Sequence, residues 1–253
     1  MAVYAVSDLH GQYDLFKKGL EKIAFSDNDE LYFIGDAIDR GPDGIRILME
    51  LKNNKNMHLI LGNHEFMMLN AVDPNGKKKC NGPDAELWLY YNGGSKTFEQ
   101  YGKLDIKARR SLLLWLQRCY VIKTIEVNGE KFCLTHSYYR EDLEGKMYHE
   151  MEYDDVWDIV WRSMYREDYE TRGSDVYKDY DHTFITGHVP VFRVLSRLGY
   201  TCDRLKIFQK GNFIDIDGGC AAGSVPRVHN GALFYRLDDK KVFPIEFSEI
   251  GLS

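Results

Sequence analysis

No apolar run in the chain approaches the length of a bilayer span, so a membrane protein is not expected. Cysteine is scarce: five residues, Cys80, Cys119, Cys133, Cys202 and Cys220, odd in number and without CxxC spacing. That excludes a disulfide framework and points to small thiols in a reducing cytoplasm. Met1 runs directly into a strand-like segment, which leaves no room for a signal peptide and supports the same compartment. Positive charge is also short, with 33 Lys+Arg against 39 Asp+Glu, a net charge of −6 and a pI of about 5.8. General nucleic-acid binding needs a basic footprint, so neither a nucleic acid nor a membrane is an expected partner. Internal repeats and low-complexity linkers are absent too. What remains is a 253-residue chain with 44% hydrophobic and 28% charged residues, the make-up of one sizeable globular domain.

The first 70 residues alternate strand and helix signals. Residues 3–7, 31–34 and 57–61 are short apolar runs of strand type. Between them, Leu15, Phe16, Gly19, Leu20 and Ile23 recur at helical spacing, as do Ile45, Leu48, Met49 and Lys52 after Pro42. A short helix is expected over 66–70. This β-α-β-α-β rhythm favours a parallel sheet with crossover helices. Residues 73–83 read as a solvated loop, followed by helices around 85–91 and 107–118. From Tyr120 the pattern becomes β. Residues 121–127 and 131–135 flank an Asn128-Gly129 turn, the strongest hairpin signal. Strands are expected at 183–186, 205–208 and 213–216, with 232–237 paired to 242–247. Two packed sheets with helices outside is the natural assembly.

Residues 138–181 stand apart. They hold 14 Asp+Glu against 6 Lys+Arg, a net of −8, and 8 of the 17 tyrosines. Val156, Trp157, Val160, Trp161 and Met164 give the segment an amphipathic helix. It reads as an insert or cap on one domain spanning 1–253. An acidic rim at a cationic centre would favour phosphate groups with Lys or Arg neighbours.

Five apolar runs end in the same way. VYAVSDLHG (3–11), LYFIGDAIDRG (31–41), LILGNHE (59–65), KFCLTH (131–136) and TFITGHVP (183–190) each deliver Asp, Asn or His where the run stops. In α/β folds ligands gather outside the carboxyl ends of strands, so five such ends imply one shared site. Asp8 and His10 are two apart, and in extended chain their side chains point the same way. Asp36 can bridge two cations, Asn63 adds an amide oxygen, and His136 and His188 add imidazoles. Oxygen and imidazole without cysteine is a donor set for divalent first-row metals. Beside them, His64 next to Asn63 suits a general acid kept protonated by a carboxylate such as Asp39. Arg40 offers a charged fork for phosphate, although an ordinary Asp-Arg turn before a helix accounts for Asp39-Arg40 equally well.

These motifs, SDLHG, GDAIDRG, GNHE, His136 and Gly187-His188, together resemble the series of the phosphoprotein phosphatase family within the calcineurin-like metallophosphoesterases, and most of all its short bacterial and phage-type members. The resemblance implies an α/β (α+β) fold: a β-sandwich of two mixed sheets flanked by helices, with a dinuclear metal site at the strand ends. It implies that Asp8 and His10 hold one metal, that Asp36 bridges, and that Asn63, His136 and His188 hold the second. It further implies that Arg40 binds phosphate and that the His64–Asp39 pair protonates the leaving group. A second arginine is expected between the late histidines, with Arg162 the candidate and Arg166 the reserve.

The implied activity is metal-dependent hydrolysis of phosphoesters, most of all phosphoserine or phosphothreonine in proteins, with phosphotyrosine and small phosphoesters also within reach. Water activated by the metals attacks phosphorus directly. The implied cofactors are two divalent ions, Mn²⁺ first and Fe or Zn as alternatives, in a monomer. A symmetrical dinucleoside-tetraphosphate hydrolase shares the motifs, although Glu65 leans towards the phosphomonoesterases. A silent metal-binding regulatory module would lack some of these groups, and none is missing. Ser7 replaces a common glycine, and the acidic insert matches no motif. Asp217-Gly218-Gly219 reads as a structural turn near the site, and His58, His149, His182 and His229 as structural or solvated.

Overall fold

The computed structural model describes residues 1–164, 178–224 and 229–252. Strands β1 (Val3–Val6), β2 (Glu30–Ile34) and β3 (Met57–Ile60) are parallel and are joined by helices α1 (Tyr13–Lys22) and α2 (Gly44–Asn53). Two further strands, β9 (Gly231–Arg236) and β10 (Lys241–Glu246), pair antiparallel and return to β1, giving the sheet order β10-β9-β1-β2-β3. The second sheet comprises β4 (Ile122–Val127), β5 (Glu130–Thr135), β6 (His182–Thr186), β7 (Phe208–Lys210) and β8 (Phe213–Asp215), in the order β4-β5-β6-β8-β7. Its central strands β5, β6 and β8 are parallel, with antiparallel edges.

Alternation along the strands divides the core. Val3, Ala5, Ile34 and Ile60 of the first sheet meet Phe132, Leu134, Ile185 and Ile214 of the second in one buried cluster. The intervening residues, among them Tyr4, Val6, Phe33, Leu59, Cys133 and Phe184, join a larger cluster beneath the helices. This is the expected sandwich. Because β1–β3 and β5, β6 and β8 are parallel within their sheets, their carboxyl ends deliver loops to a common region, and that arrangement positions the site.

The helical layer differs in detail from the sequence reading. Helix α3 (Asn63–Ala71) begins at Asn63 itself, so the GNHE motif is a helix N-terminus. The next segment is α4 (Pro83–Glu86) continuing into a π-helical turn, Leu87–Tyr91. Helices α5 (Ser95–Lys103) and α6 (Ile106–Leu116) follow. Helix α5 lies outside the expected helices, and along it only Thr97 and Tyr101 are buried. Beyond α7 (Tyr153–Trp161), helix α8 (Val191–Arg197) was also missed, since Pro190 stands at its N-cap within an apolar run. The strand expected over 205–208 starts only at Phe208. Of the acidic segment, residues 165–177 lie outside the described residues. Among the described residues no helix is long and apolar enough to cross a membrane.

Helix α1 packs across β9 and β10. A Cβ at Gly19 would come within 2.0 Å of the buried Phe234 ring, which is itself stacked on Phe16 at 6.4 Å. Gly19→Ala therefore sets a helix-propensity gain of about 1 kcal/mol against overpacking of about 1–3 kcal/mol. The expected net result is a lower urea midpoint with an unchanged m-value. A raised midpoint would show that α1 does not sit this close to the sheet.

Candidate metal centre

All six expected ligands converge. Asp8 and His10 leave β1, Asp36 leaves β2, Asn63 opens α3, and His136 and His188 follow β5 and β6. All but His188 are buried. Backbone bonds stitch the first two loops together: Asp8 N, His10 N and Gly11 N donate to the carbonyls of Gly35, Asp36 and Ala37 at 3.0, 2.9 and 2.8 Å. Asp8 and His10 do not meet through an extended chain, as the i, i+2 rule suggested. Both are left-handed, with φ of 54° and 44°, and the turn rather than the pleat aims them together. Of the nine non-glycine residues with positive φ among the described residues, six are Asp8, His10, Asp36, Asp39, Arg40 and His188. Each costs about 1 kcal/mol or more, and such strain collects where geometry serves a site.

Asp36 stands at the middle. One oxygen lies 3.5 Å from His136 Nε2 and the other 3.6 Å from His10 Nε2. Asn63 Oδ1 lies 3.0 Å from His136 Nε2 and 3.1 Å from His188 Nδ1. His136 Nδ1 is 3.0 Å from the Ile34 carbonyl and His10 Nδ1 is 3.2 Å from the Ile38 carbonyl. Each carbonyl can only accept, so Nδ1 carries the proton and Nε2 presents a lone pair. Lone pairs facing oxygen acceptors about 3 Å away repel unless a cation lies between them. Neighbouring ligands on a metal with bonds of about 2.1 Å stand about that far apart. The donor set therefore fits divalent ions, in two groups: His10, Asp36 and His64, and Asp36, His136 and His188.

Electrostatics agree. Burial, then Asp217 and Asp36, push the Asp8 carboxyl well up, and burial and Glu65 do the same to Asp36. Burial, reinforced by neighbouring imidazoles, lowers His10 well below the usual range and His136 to about 3. Neutral imidazoles beside crowded acids are what a cation would stabilise.

The second layer was mostly invisible in the sequence. Glu65, read only as a branch marker, accepts from Asp36 N and Ala37 N at 2.9 Å each and from Gly62 N at 3.2 Å, clamping the β2 loop to α3. Gly187 lets the β6 loop touch Asp8, since a Cβ there would stand 2.0 Å from Asp8 Oδ2. Asp217 is more than a turn residue: it is buried, lines the cleft and raises Asp8. None of His58, His149, His182 or His229 lines the cleft.

Asp39 and His64 do meet, with Asp39 Oδ2 2.6 Å from His64 Nδ1 and 2.7 Å from the Trp88 indole nitrogen that donates to it. Asp39 alone does not offset the groups that oppose a charge on His64. Burial and the Arg40 guanidinium, 3.3 Å from His64 Nε2, push His64 well below the usual imidazole range. The bond to Asp39 fixes a tautomer, leaving Nε2 3.7 Å from Asp36. By geometry alone His64 has two candidate roles, ligand or proton carrier.

Arg40 lines the cleft as expected, but Arg162 does not. At the end of α7 it turns back to Asp158 at 3.2 Å and covers the Tyr138 ring at 4.1 Å. Arg166 lies outside the described residues. The cations that do line the cleft with Arg40 are Arg193 and Arg197 of α8, and its only carboxylates among the described residues are Asp36 and Asp217. The acidic entrance expected from the insert is thus absent from the described lining. Asp142 and Asp155 pair with Arg140 instead.

The calcineurin-like phosphoesterase family model matches residues 1–216. The chain is 30% identical over 198 residues to serine/threonine-protein phosphatase 2 of Salmonella typhimurium, covering 75% of this chain and 80% of that protein. It is 32% identical over 139 residues to a symmetrical bis(5'-nucleosyl)-tetraphosphatase of Nitrosospira multiformis, covering 54% of this chain and 43% of that protein. A metallophosphoesterase structure from Sphaerobacter thermophilus superposes with a TM-score of 0.56 at 14% identity, covering 100% of this chain and 95% of that one.

Asp36→Asn should strip bound metal, measured by elemental analysis after purification in excess Mn²⁺, whereas His64→Asn should keep it. Removing one crowded acid should also raise the melting temperature of the metal-free protein while lowering the gain that metal gives. Loss of metal in His64→Asn would make His64 a ligand.

Proposed function

Because the chain belongs to the calcineurin-like phosphoesterase family and is a hydrolase, we propose that it removes phosphate from serine or threonine in proteins. The observation that carries this reading is the reach of the similarity. The serine/threonine-protein phosphatases of Salmonella typhimurium and Escherichia coli match 75% and 74% of the chain, whereas the tetraphosphatase of Nitrosospira multiformis matches 54%. Tetraphosphate hydrolysis is the second reading.

Family members use a dinuclear divalent metal site, and this chain has the His and Asp groups for one. Asp8, His10 and Asp36 would hold one ion and Asp36, Asn63, His136 and His188 the other, with Mn²⁺ suited to such mixed donors. When bound, the ions supply Lewis-acid chemistry, neutralising phosphoryl charge and acidifying water. The chain's own groups do the rest. Arg40 grips phosphoryl oxygens as a charged fork, and Arg193 adds positive charge to the same cleft. With the negative charge of a phosphoryl group added beside Nε2, His64 would take up a second proton there and pass it to the leaving oxygen, while Asp39, itself held by Trp88, keeps the Nδ1–H and fixes the ring. Five free thiols support a cytoplasmic location.

Exhaustive chelation should abolish hydrolysis of p-nitrophenyl phosphate, with Mn²⁺ restoring it better than Mg²⁺, which prefers oxygen ligands and water. A phosphoserine peptide should then turn over with higher kcat/KM than a dinucleoside tetraphosphate; the reverse order would favour the second reading. His64→Asn should slow alkyl phosphates by about 10²–10⁴-fold and nitrophenyl phosphate much less, since a good leaving group needs little protonation. Equal losses on both substrates would remove His64 from the proton-donor role.

A further inference from the structure

Helix α6 presents an unusual exposed face. Its inner side buries Leu112, Leu113 and Leu116, while Lys107, Arg110 and Leu114 lie on the outer side, with Arg118 just beyond its end. These residues follow one another at three- or four-residue steps and so form one stripe. Lys52, near the end of α2, and Trp115 complete a surface groove of about 530 Å³ with that stripe. Among the described residues no carboxylate lines the groove, and none of Lys52, Lys107, Arg110 and Arg118 is in an ion pair. Several surface cations elsewhere, such as Lys17, Arg140 and Arg236, have acidic partners and others such as Lys55 and Lys77 have none among the described residues, but these four line a single groove. Four converging, uncompensated cations stand out in a chain of net charge −6. Leu114, 54% exposed, sits among them and gives the groove an apolar centre.

We propose that this groove docks an acidic segment of the phosphoprotein substrate, away from the cleft; the substrate role rests on the phosphatase reading above. The occupant follows from charge and shape. Unpaired cations around an apolar centre complement a short segment of Asp and Glu carrying one or two apolar side chains. A nucleic acid would extend past the groove into the field of an acidic protein, whereas a short segment feels chiefly charges within about 8 Å. Position follows from α2, which begins four residues after Arg40 and reaches Lys52 eight residues later, about 12 Å along its axis. An extended chain therefore needs at least roughly four residues between phosphate and acidic segment.

The test uses the full chain with Mn²⁺ and three probes. One is a phosphoserine peptide with a Glu-rich, Leu-containing segment six residues from the phosphate. The second has Gln for each Glu, and the third is p-nitrophenyl phosphate. The acidic peptide should show about tenfold higher kcat/KM than its Gln form at low salt, through KM rather than kcat, as several exposed charge pairs would give. Arg110→Glu/Arg118→Glu should erase that difference and leave nitrophenyl phosphate turnover and melting temperature unchanged. Fluorescence anisotropy of the unphosphorylated acidic peptide should show the same loss of binding, and reads the docking face even if no phosphopeptide is hydrolysed. Equal kinetics for the two peptides, a preference that survives charge reversal, or tighter binding of a single-stranded oligonucleotide than of the acidic peptide would overturn the proposal.

Discussion

Six acidic side chains, Asp8, Asp36, Asp39, Glu65, Asp215 and Asp217, are buried around the end of the sandwich, and the organisation of that end answers to the cost of keeping them dry. A buried carboxylate without compensation loses several kcal/mol of hydration. Compensation is supplied in layers. Glu65 and Asp217 accept backbone N–H groups, and Asp39 takes the Trp88 indole. Asp36 accepts from His64 N at 3.1 Å, at the start of α3, where the helix dipole favours negative charge. Asp8 takes the His188 N–H at 3.0 Å. What these bonds leave uncompensated, charge facing charge across Asp36, is the part that metal ions would balance.

The same economy explains the backbone. Left-handed turns at Asp8, Asp36 and His188 carry backbone strain. They persist because parallel strands on either side fix the ends of each loop, and because backbone bonds join one loop to the next. The sandwich holds the donor groups apart from solvent and close to one another. That is preorganisation in the sense that catalysis requires.

Much of this was readable from residues 1–65, where apolar runs stop at Asp or His and period-2 burial follows from strand geometry. The first-layer residues Asp8, His10, Asp36, Asn63, His136 and His188 were found because each directly follows a strand. Trp88 and Thr97 were not, since their contact with Asp39 spans 49 and 58 residues and leaves no local pattern. Arg162 lies between two late histidines in the chain, but chain position says nothing about which way a guanidinium turns, and this one meets Asp158 and the Tyr138 ring. Arg193 and Arg197 escaped notice because helix α8 was hidden behind Pro190. Net charge does not record which acids are already paired: in the acidic segment Asp142 and Asp155 meet Arg140 and Asp158 meets Arg162, while residues 165–177 lie outside the described residues.

The connectivity of the two sheets also bears on how the protein is made. The first sheet contributes Asp8, His10, Asp36 and Asn63, and the second His136, His188 and Asp217. Strand β1, among the first residues synthesised, gains its second neighbour only when β9 has appeared. A ribosome adding about 5–20 residues per second must therefore run for roughly ten seconds or more before His136 and His188 of the second sheet can reach the acids at the end of β1. During that interval the early half presents clustered carboxylates and an unpaired strand edge. Closure of the first sheet is thus a late step in the life of each molecule, and a chain that stops before β9 leaves one edge of β1 without a partner.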